Sequence, residues 1–384
     1  MKIEIKGVQF VNKGAELMLA AILARIEEYW PDADIVLKGG PLSPYKQRAL
    51  LGAYQKLSLR KNRLDLNGLF YCMPKSFRRY LNTWGILTEA DIDVVLDASG
   101  FAYGDQWGWL QIRHLGDELR RSAKHEKQYI FLPQAFGPFS RKQDQHTLST
   151  SLKHAALICA RDDESLKHLQ GLVGTLPQLK QYPDFTNAVD GVIPDYWQKG
   201  ERKVCFVPNS NMLSKKNHNQ TWKEHYFNIM TLLIAHTIKL GYQPVLLNHE
   251  GEGDREICHK LNQHFDNQLE LIEEPAPLKI KGILGNSRAV VCSRFHGCVS
   301  ALSQGVVCLG TSWSHKYEHL FNDYAVPDLL IDPTASESAL LALLESVLTN
   351  NNQHSEKVTK QAESYKQLTE HMWLSVKNKI DANV

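Results

Sequence analysis

Short apolar runs alternate with segments of helical periodicity along most of the chain. Runs such as 92–96, 203–207 and 289–292 have the length and the content of buried strands, and each is followed by polar residues. Between such runs, segments such as 17–29 and 226–240 space their apolar residues as an amphipathic helix does. Strands that alternate with helices and short turns predict parallel, doubly wound sheets, and therefore an α/β fold.

The organisation of the chain predicts two domains. Its length, 384 residues, exceeds what one ordinary hydrophobic core accommodates. A polar stretch with Gly and Pro, 190–202, separates two series of strands and helices and is typical of an interdomain linker. We predict a Rossmann-like N-terminal domain over 1–190 and a Rossmann-like C-terminal domain over 200–384. The terminal amphipathic helix, 356–380, is expected to pack back across the first domain.

Composition and charge exclude several classes of protein. A hydrophobic content of 43% with 22% charged residues is globular, and a net charge of +2 argues against bulk nucleic-acid binding. Seven cysteines without a Cys-x-x-Cys pair, most of them in apolar runs, indicate a reduced cytoplasmic protein without a structural metal. The mixed charge of the first residues predicts a strand rather than a signal peptide, and no apolar run is long enough to span a bilayer.

Candidate chemistry is concentrated around one predicted helix start. The predicted strand 289–292 is followed at once by Arg294 and His296, and Lys316 lies just beyond the next predicted strand. Loops at the carboxyl ends of strands are where ligands bind in open α/β sheets. The free N–H groups of a helix start favour anions. Three potential cations near one helix start therefore predict a phosphate or carboxylate ligand.

The same segment closely resembles the C-terminal signature of the polysaccharide pyruvyltransferase family. That signature is Ser-x-Arg-x-His-x-x-x-x-Ala-x-x-x-Gly, followed by a strand and a Lys. The residues that fit it are Arg294, His296, Ala301, Gly305 and Lys316. The Ser is displaced, because Ser293 directly precedes Arg294.

Further segments resemble the same family. They are the first turn with Asn12, Gly14 and Glu16, the Gln134–Pro138 turn, the pattern of Arg161, Asp162 and Ser165, and the Pro183–Asp184 turn. The loop with Asp97, Ser99 and Gly100 departs from the family, which commonly has three glycines there. Only Gly100 is then left to let a ligand approach the backbone closely.

The resemblance implies a fold and a reaction. The fold would be two Rossmann-like lobes of the GT-B type, with the acceptor on the N-terminal side and phosphoenolpyruvate on the C-terminal side. The reaction would transfer pyruvate from phosphoenolpyruvate to two hydroxyls of a cell-surface or exopolysaccharide sugar, forming a ketal and releasing phosphate. Arg294 would grip the carboxylate or phosphate, and His296 would act as acid to C3 or as base to a hydroxyl. Phosphoenolpyruvate is the co-substrate, and we expect no metal and no other cofactor.

Other residues are expected to contact substrate from the predicted loops. They are Lys316, Ser293, Gly297, Asn209, Lys215, His249, Glu250, Gly100, Ser99, Asp97, Asn12 and Glu16. Among them Asp97, Glu16 and His249 are also candidates for the complementary proton transfer. Relatives often carry an Arg in the loop after 203–207, and either Lys215 or Lys216 could take its place.

The segment 46–80 carries an unusual concentration of positive charge. It contains nine basic residues and one acidic residue, Asp65, with aromatic and aliphatic residues interleaved. A solvated surface with apolar stems is one interpretation. The other is peripheral attraction to anionic lipid on the inner face of the membrane, or to a lipid-diphosphate-linked acceptor.

Two other functions use the same fold. A glycosyltransferase with a nucleotide-sugar donor would need a carboxylate for the ribose or the diphosphate in the C-terminal lobe, and Glu318 is the nearby candidate. A catalytically inert glycan- or lipid-binding protein is the other. The presence of Arg294, His296 and Lys316 argues against it, because a binding module needs no positioned acid or base.

Overall fold

The computed structural model describes residues 1–215, 217–312, 316–349 and 352–382, which form two compact units. The first unit contains Met1–Val11, Met18–Phe185 and the segment that begins at Leu368. The second contains Asn12–Leu17 and Thr186–Gln367. Both units are discontinuous in sequence, and each is built on one parallel sheet, which confirms the predicted α/β fold with two Rossmann-like sheets.

In the described residues, the first unit has ten strands in chain order. They are β1 (Lys2–Lys6), β2 (Asp34–Lys38), β3 (Tyr54–Lys56), β4 (Arg60–Lys61), β5 (Leu64–Asp65), β6 (Ile86–Leu87), β7 (Val94–Asp97), β8 (Gln128–Gln134), β9 (Leu157–Ala160) and β10 (Leu179–Gln181). All except the antiparallel hairpin β4–β5 join one parallel sheet in the order β10-β9-β8-β7-β1-β2-β3-β6. The strand order reverses between β1 and β7, so ligands are expected at the carboxyl ends of these two strands.

Helices connect the strands of this sheet. They are α1 (Lys13–Tyr29), α2 (Tyr45–Leu50), α3 (Lys75–Thr83), α4 (Trp109–Lys124), α5 (Lys142–Ser151) and α6 (Asp163–Val173). All seven residues of β8 are buried, as a parallel strand covered on both faces requires. The start of α6 is capped by Asp162, whose carboxylate accepts a hydrogen bond from the Ser165 N–H at 2.7 Å.

The described part of the second unit has five strands in the order β13-β12-β11-β14-β15. They are β11 (Lys203–Val207), β12 (Gln243–Leu247), β13 (Glu270–Ile272), β14 (Ala289–Cys292) and β15 (Cys308–Gly310). The helices are α7 (Gln220–Lys239), α8 (Gly251–His264), α9 (Pro277–Gly285), α10 (Phe295–Leu302), α11 (Lys316–Asp323), α12 (Glu337–Thr349) and α13 (Asn352–Asp381). The order reverses between β11 and β14, so the loops after these strands lie at the ligand-binding edge.

The structure departs from the predicted elements mainly within 46–80. That segment contains β3, which adds to the parallel sheet although it is only three residues long and ends in Lys56. A strand with a charged residue in it produces no apolar run, which is why the sequence pattern does not reveal it.

The long C-terminal helix is present as predicted. The part of α13 that follows Leu368 belongs to the first unit. There Glu370 accepts a hydrogen bond from Arg25, Asp381 accepts one from Trp30 Nε1 at 2.9 Å, and the ring of Trp373 packs edge-on against Phe185 at 6.0 Å.

Candidate functional site

The loops after β11 and β14 are joined where the strand order of the second sheet reverses. Asn209 Nδ2 donates to the carbonyl oxygen of Ser293 at 2.8 Å. The Ser293 hydroxyl is hydrogen-bonded to the hydroxyls of Tyr226 at 2.6 Å and Thr311 at 2.7 Å. Asn209 and Ser293 are both buried, so in this structure they hold the backbone of the loop from which Arg294 projects.

Arg294 is held by two carboxylates. Its Nε and Nη2 atoms donate to Asp254 at 2.7 Å each, and its Nη1 donates to Glu250 at 2.8 Å. Burial opposes the charge of the guanidinium, but the hydrogen bonds and negative charges of Asp254 and Glu250 outweigh it and raise the pKa of Arg294. Three of the five N–H donors of an arginine are therefore committed to protein groups. From the sequence alone, the Arg294 guanidinium was expected to bind an anionic ligand, and no carboxylate of the protein was expected to pair with it.

The first turn of α1 belongs to the same cluster. Asn12 Nδ2 donates to the second oxygen of Glu250 at 2.9 Å, and Asn12 Oδ1 caps α1 by accepting from the Ala15 N–H at 2.9 Å. Lys13 Nζ pairs with Glu16 at 2.7 Å and donates to the Pro275 carbonyl at 2.6 Å. Asn12 and Glu16, both predicted from the first βα turn, thus lie in the second unit with Glu250.

His296 lies in the first turn of α10, half-buried, directly beside Gly14. A methyl group on Gly14 would lie 2.1 Å from His296 Nδ1, closer than a carbon approaches a nitrogen to which it is not bonded. The ring packs edge-on against Phe295 at a centroid distance of 5.5 Å. The absence of a side chain at position 14 therefore creates the space that the imidazole occupies.

His249 follows β12 and is buried next to Gly297. Burial, the positive charge of Arg294, and His296 and Lys13 lower the pKa of His249 to about 3. Its Nδ1 atom makes no hydrogen bond to any group in the described part of the chain. His249 is therefore a neutral imidazole at pH 7, with one buried nitrogen available to a ligand or a water molecule.

Lys316 lies at the start of α11, close to the helix start that carries His296. Its Nζ atom is 5.0 Å from the centroid of the Phe295 ring and 5.6 Å from that of Tyr317, in cation–π geometry. The hydroxyl of Tyr317 donates to the Ser293 carbonyl at 2.8 Å, which anchors α11 to the same loop. Lys215 is exposed on the turn after β11, and Lys216 lies outside the described residues.

Asp97, Ser99 and Gly100, the other predicted site residues, lie in the first unit at the end of β7. Asp97 is fully buried and accepts hydrogen bonds from Tyr103 at 2.6 Å, from Tyr129 and from Ser99. Its carboxylate therefore stabilises the loop from within. Gly100, in the turn after β7, has a φ of +70°. Glycine adopts this conformation readily because it has no side chain.

A cavity of about 550 Å³ opens at the carboxyl ends of β1, β2 and β3 in the first unit. Ser99 lines it, together with Lys6, Lys56, Ser58, Asn67, Gln111 and Glu118. Lys56 Nζ is 2.6 Å from Glu4 and 3.1 Å from Glu118, and Lys6 Nζ is 2.9 Å from Glu118. Burial favours the neutral form of Glu118, but Lys6 and Lys56 outweigh it and hold the pKa of Glu118 well below its usual range.

Sequence reasoning missed three features of these sites. The contact of Asp254 with Arg294 is the first, because Asp254 stood out in the sequence only as part of a loop that resembles the family. Its spacing of four residues from Glu250 is the signal that could have placed both near one side chain. Gly14 was noted only as part of a motif. The pairing of Lys56 with Glu4 and Glu118 has no local signal at all, because the partners are 52 and 62 residues away in the chain.

Within the described residues, no group of three or more His, Cys, Asp or Glu side chains is arranged to hold a metal ion. Among the helices of these residues, none has the length and the apolar content that crossing a membrane requires.

Two Rossmann-like parallel sheets with polar loops at their carboxyl ends define a protein of the GT-B-like fold. Solved structures support this class over nearly the whole chain. UDP-GlcNAc 2-epimerase from Neisseria meningitidis, bound to UDP-GlcNAc, matches with a TM-score of 0.62 at 9% identity, covering 98% of this chain and 99% of that one. Anabaena HepE in complex with UDP and glucose matches with a TM-score of 0.52 at 11% identity, covering 98% and 100%. At such identities these similarities establish the fold alone.

The family follows from a separate comparison. The model of the family described as polysaccharide pyruvyl transferase matches residues 12–315, which is most of the chain. The chain therefore belongs to the polysaccharide pyruvyl transferase family. No curated protein matches it significantly.

Proposed function

We propose that this protein transfers pyruvate from phosphoenolpyruvate to two hydroxyls of a sugar in a cell-surface or exopolysaccharide glycan. The observation that carries the proposal is the cluster of Arg294, His296 and neutral His249 at the ligand-binding edge of the second sheet. Family membership supports the same reaction class. Phosphoenolpyruvate carries a carboxylate and a phosphate, and a compact anion of this kind suits a rigidly oriented guanidinium.

The two carboxylates on Arg294 have different parts in donor binding. Asp254 is fully buried and holds two of the guanidinium nitrogens, so it orients Arg294 permanently. The Glu250 side chain is 23% exposed and holds only Nη1. We infer that Glu250 is a place-holder: it accepts the hydrogen bond of Nη1 in the free protein, and an oxygen of the donor displaces it when the donor binds. Lys316 supplies a further positive charge near the same helix start.

The two histidines differ in the proton each can carry. His249 has a pKa of about 3 and holds no proton at neutral pH, so it cannot be the acid in the free protein. His296 is only half-buried, and we assign it the proton transfer, either to C3 of the donor or from an acceptor hydroxyl. His249 would then contribute its free Nδ1 as a hydrogen-bond acceptor toward substrate.

The reaction balances without an additional reactant. A proton adds to C3 of the enol, which makes C2 electrophilic, and the first sugar hydroxyl adds to C2 and loses its proton. The bond between C2 and the phosphate oxygen then breaks, and the second hydroxyl adds to C2. Of the two hydroxyl protons, one balances the proton gained at C3 and the other leaves with the phosphate. The products are the ketal and inorganic phosphate.

We assign the acceptor sugar to the cavity of the first unit. Its lining combines ammonium, carboxylate, hydroxyl and amide groups, which suits the hydroxyl groups of a sugar. The paired charges of Lys6, Lys56 and Glu118 hold these groups in place before a ligand arrives. Gln111 lines the cavity and is exposed, so Gln111→Leu should raise KM for the acceptor and leave phosphoenolpyruvate binding unchanged. A raised Kd for phosphoenolpyruvate instead would contradict this division of roles.

A glycosyltransferase with a nucleotide-sugar donor is the second candidate. The observation in its favour is that structures of the same fold carry UDP or UDP-GlcNAc, as their descriptions state. Glu318, the carboxylate that this function would use, is exposed in the first turn of α11. Under both candidate functions the protein would be a cytoplasmic enzyme of glycan synthesis. The donor would be phosphoenolpyruvate in the first and a nucleotide sugar in the second.

The decisive experiment supplies each donor to the purified protein with a panel of lipid- or nucleotide-linked sugars. We expect phosphate release from phosphoenolpyruvate only when a sugar diol is present, and a product heavier by one pyruvate less one water. Thermal-shift measurements with phosphoenolpyruvate and with UDP-sugars report donor binding independently of the acceptor. Sugar transfer without added pyruvate mass would replace the proposal with the glycosyltransferase function.

A further inference from the structure

A part of the first unit exposes apolar and basic side chains together. This α2–α3 surface consists of Lys46, Leu50, Leu51, Lys75, Phe77, Arg79, Tyr80 and Trp84. Leu50 is 78% exposed, Trp84 68% and Tyr80 57%, although side chains of these types are normally covered. A contiguous exposed apolar patch rimmed by polar residues marks an interaction site.

The aromatic residues of this surface form one stripe. Phe77, Tyr80 and Trp84 follow the spacing of three and four residues that places side chains on one face of a helix. Successive ring centroids are 6.4 Å and 6.3 Å apart. No residue of α3 is buried, so the helix does not use this stripe to pack against its own unit.

Helices α2 and α3 contribute to the same surface because of the sheet beneath them. Strands β3 and β6 are parallel neighbours, with Gln55 opposite Ile86 and the Gln55 N–H donating to the Gly85 carbonyl at 2.8 Å. Leu51 and Trp84 lead into these two strands. Parallel strands begin at the same edge of a sheet, so Leu51 and Trp84 lie at that common edge. Lys46 lies one turn before Leu50 on α2 and faces the same way.

The charge of this surface has one sign. Lys46, Lys75 and Arg79 are exposed, and neither 45–55 nor 74–84 contains an acidic residue. The other two bases of these stretches are occupied elsewhere, since Arg48 is buried against Ser43 and Gln55 and Arg78 is paired with Asp91 at 2.5 Å. The basic region is therefore smaller than the nine residues of 46–80 suggest. On α3, Lys75 and Arg79 are four residues apart and lie on the flank of the exposed face beside the aromatic stripe, as on an amphipathic helix with a basic and an aromatic side.

We propose that the α2–α3 surface binds the surface of an anionic bilayer. Trp and Tyr rings prefer the headgroup region, an amphipathic helix lies in the plane of the interface, and nearby bases attract anionic lipids. A protein partner fits less well, because lysine is depleted at protein interfaces whereas this surface presents two lysines and an arginine without a carboxylate. The attachment is peripheral and leaves the catalytic proposal untouched, because it can be measured without donor or acceptor.

The test is co-sedimentation of the full chain with phosphatidylcholine vesicles that contain or lack phosphatidylglycerol, at low and high salt. One variant removes the bases (Lys46→Ala, Lys75→Ala, Arg79→Ala) and another removes the rings (Phe77→Ser, Tyr80→Ser, Trp84→Ser). The matched control removes three exposed lysines of the second unit (Lys239→Ala, Lys260→Ala, Lys357→Ala). Each base near an anionic surface contributes roughly a fivefold factor, so the first variant should bind on the order of a hundredfold more weakly.

We expect the wild type and the control to bind only vesicles with anionic lipid, more weakly at high salt, and the ring variant to lose binding at both salt concentrations. Equal binding by the wild type and the base variant, or an equal loss in the control, would overturn the proposal. An oligomeric wild type that becomes monomeric in the ring variant, with no vesicle binding by either, would identify the surface as an interface between copies of this chain instead.

Discussion

Gly14 lies beside the imidazole of His296, so close that a methyl group at position 14 would lie 2.1 Å from Nδ1. This places the start of α1 against the first turn of α10 within the second unit. The position of the proposed acid–base residue thus depends on a missing side chain nearly 300 residues earlier in the sequence.

Gly14→Ala should lower kcat while the protein stays folded, because the imidazole can turn away from the added methyl group at little cost to packing. Pyruvyl transfer assays and thermal unfolding check this together. Gly171→Ala in α6 is the control, since a methyl group there meets nothing within 4 Å. That control should keep its rate and gain up to about 1 kcal/mol of stability from helix propensity. A Gly14→Ala protein with unchanged kcat would show that His296 needs no such space.

His296→Ala and Arg294→Ala should separate chemistry from binding. His296→Ala should abolish turnover and retain phosphoenolpyruvate binding, because it removes a proton carrier and no anion ligand. Arg294→Ala should lose most donor binding and also leave Asp254 and Glu250 without their common partner. Calorimetric binding and single-turnover assays measure the two effects. A near wild-type rate for His296→Ala with a verified acceptor would remove His296 from the acid–base role.

Substitutions of the two carboxylates that hold Arg294 should affect different properties, stability for Asp254 and donor affinity for Glu250. Asp254→Asn should destabilise the fold, by up to about 3–5 kcal/mol, since it leaves a mostly buried guanidinium with only the partly exposed Glu250 as its counter-charge. Glu250→Gln should cost little stability and lower the Kd for phosphoenolpyruvate several-fold, because it removes a negative charge that competes with the donor for Nη1. Chemical denaturation and calorimetry are the measurements. Weaker donor binding by Glu250→Gln would mean that Glu250 is part of the binding geometry rather than a place-holder.

His249 should make the protein acid-sensitive. Its pKa is about 3 in the folded protein and 6.5 as the ordinary value, so below pH 6.5 the unfolded chain binds a proton that the folded chain does not. The unfolding free energy should therefore fall as the pH drops through 6.5 toward 3, by about 2 kcal/mol between pH 7 and pH 5. His249→Gln should remove this part of the dependence, which urea unfolding at pH 7 and pH 5 would reveal. Parallel losses in both proteins would assign the acid sensitivity to other groups.

The sequence by itself determined the fold class and the central strands. The buried strands at 203–207 and 289–292 were predicted with the bounds they have in the structure. A strand of a parallel sheet is buried on both faces, so it appears in the sequence as one continuous apolar run. The loop with Arg294 and His296 at the carboxyl end of such a strand followed from the same local pattern, and with it the resemblance to the family.

Only the tertiary structure decided how the charges are used. Arg294 looked like an unaccompanied cation, but Asp254 and Glu250, 40 and 44 residues earlier, already hold it. Lys56 looked like part of a basic surface, whereas the fold buries it between Glu4 and Glu118. Helical and strand periodicity depend on neighbours a few residues apart, whereas an ion pair depends on which distant segments the sheet order brings together. The free energy of a buried charge depends on those partners, and for this reason local sequence cannot assign its role.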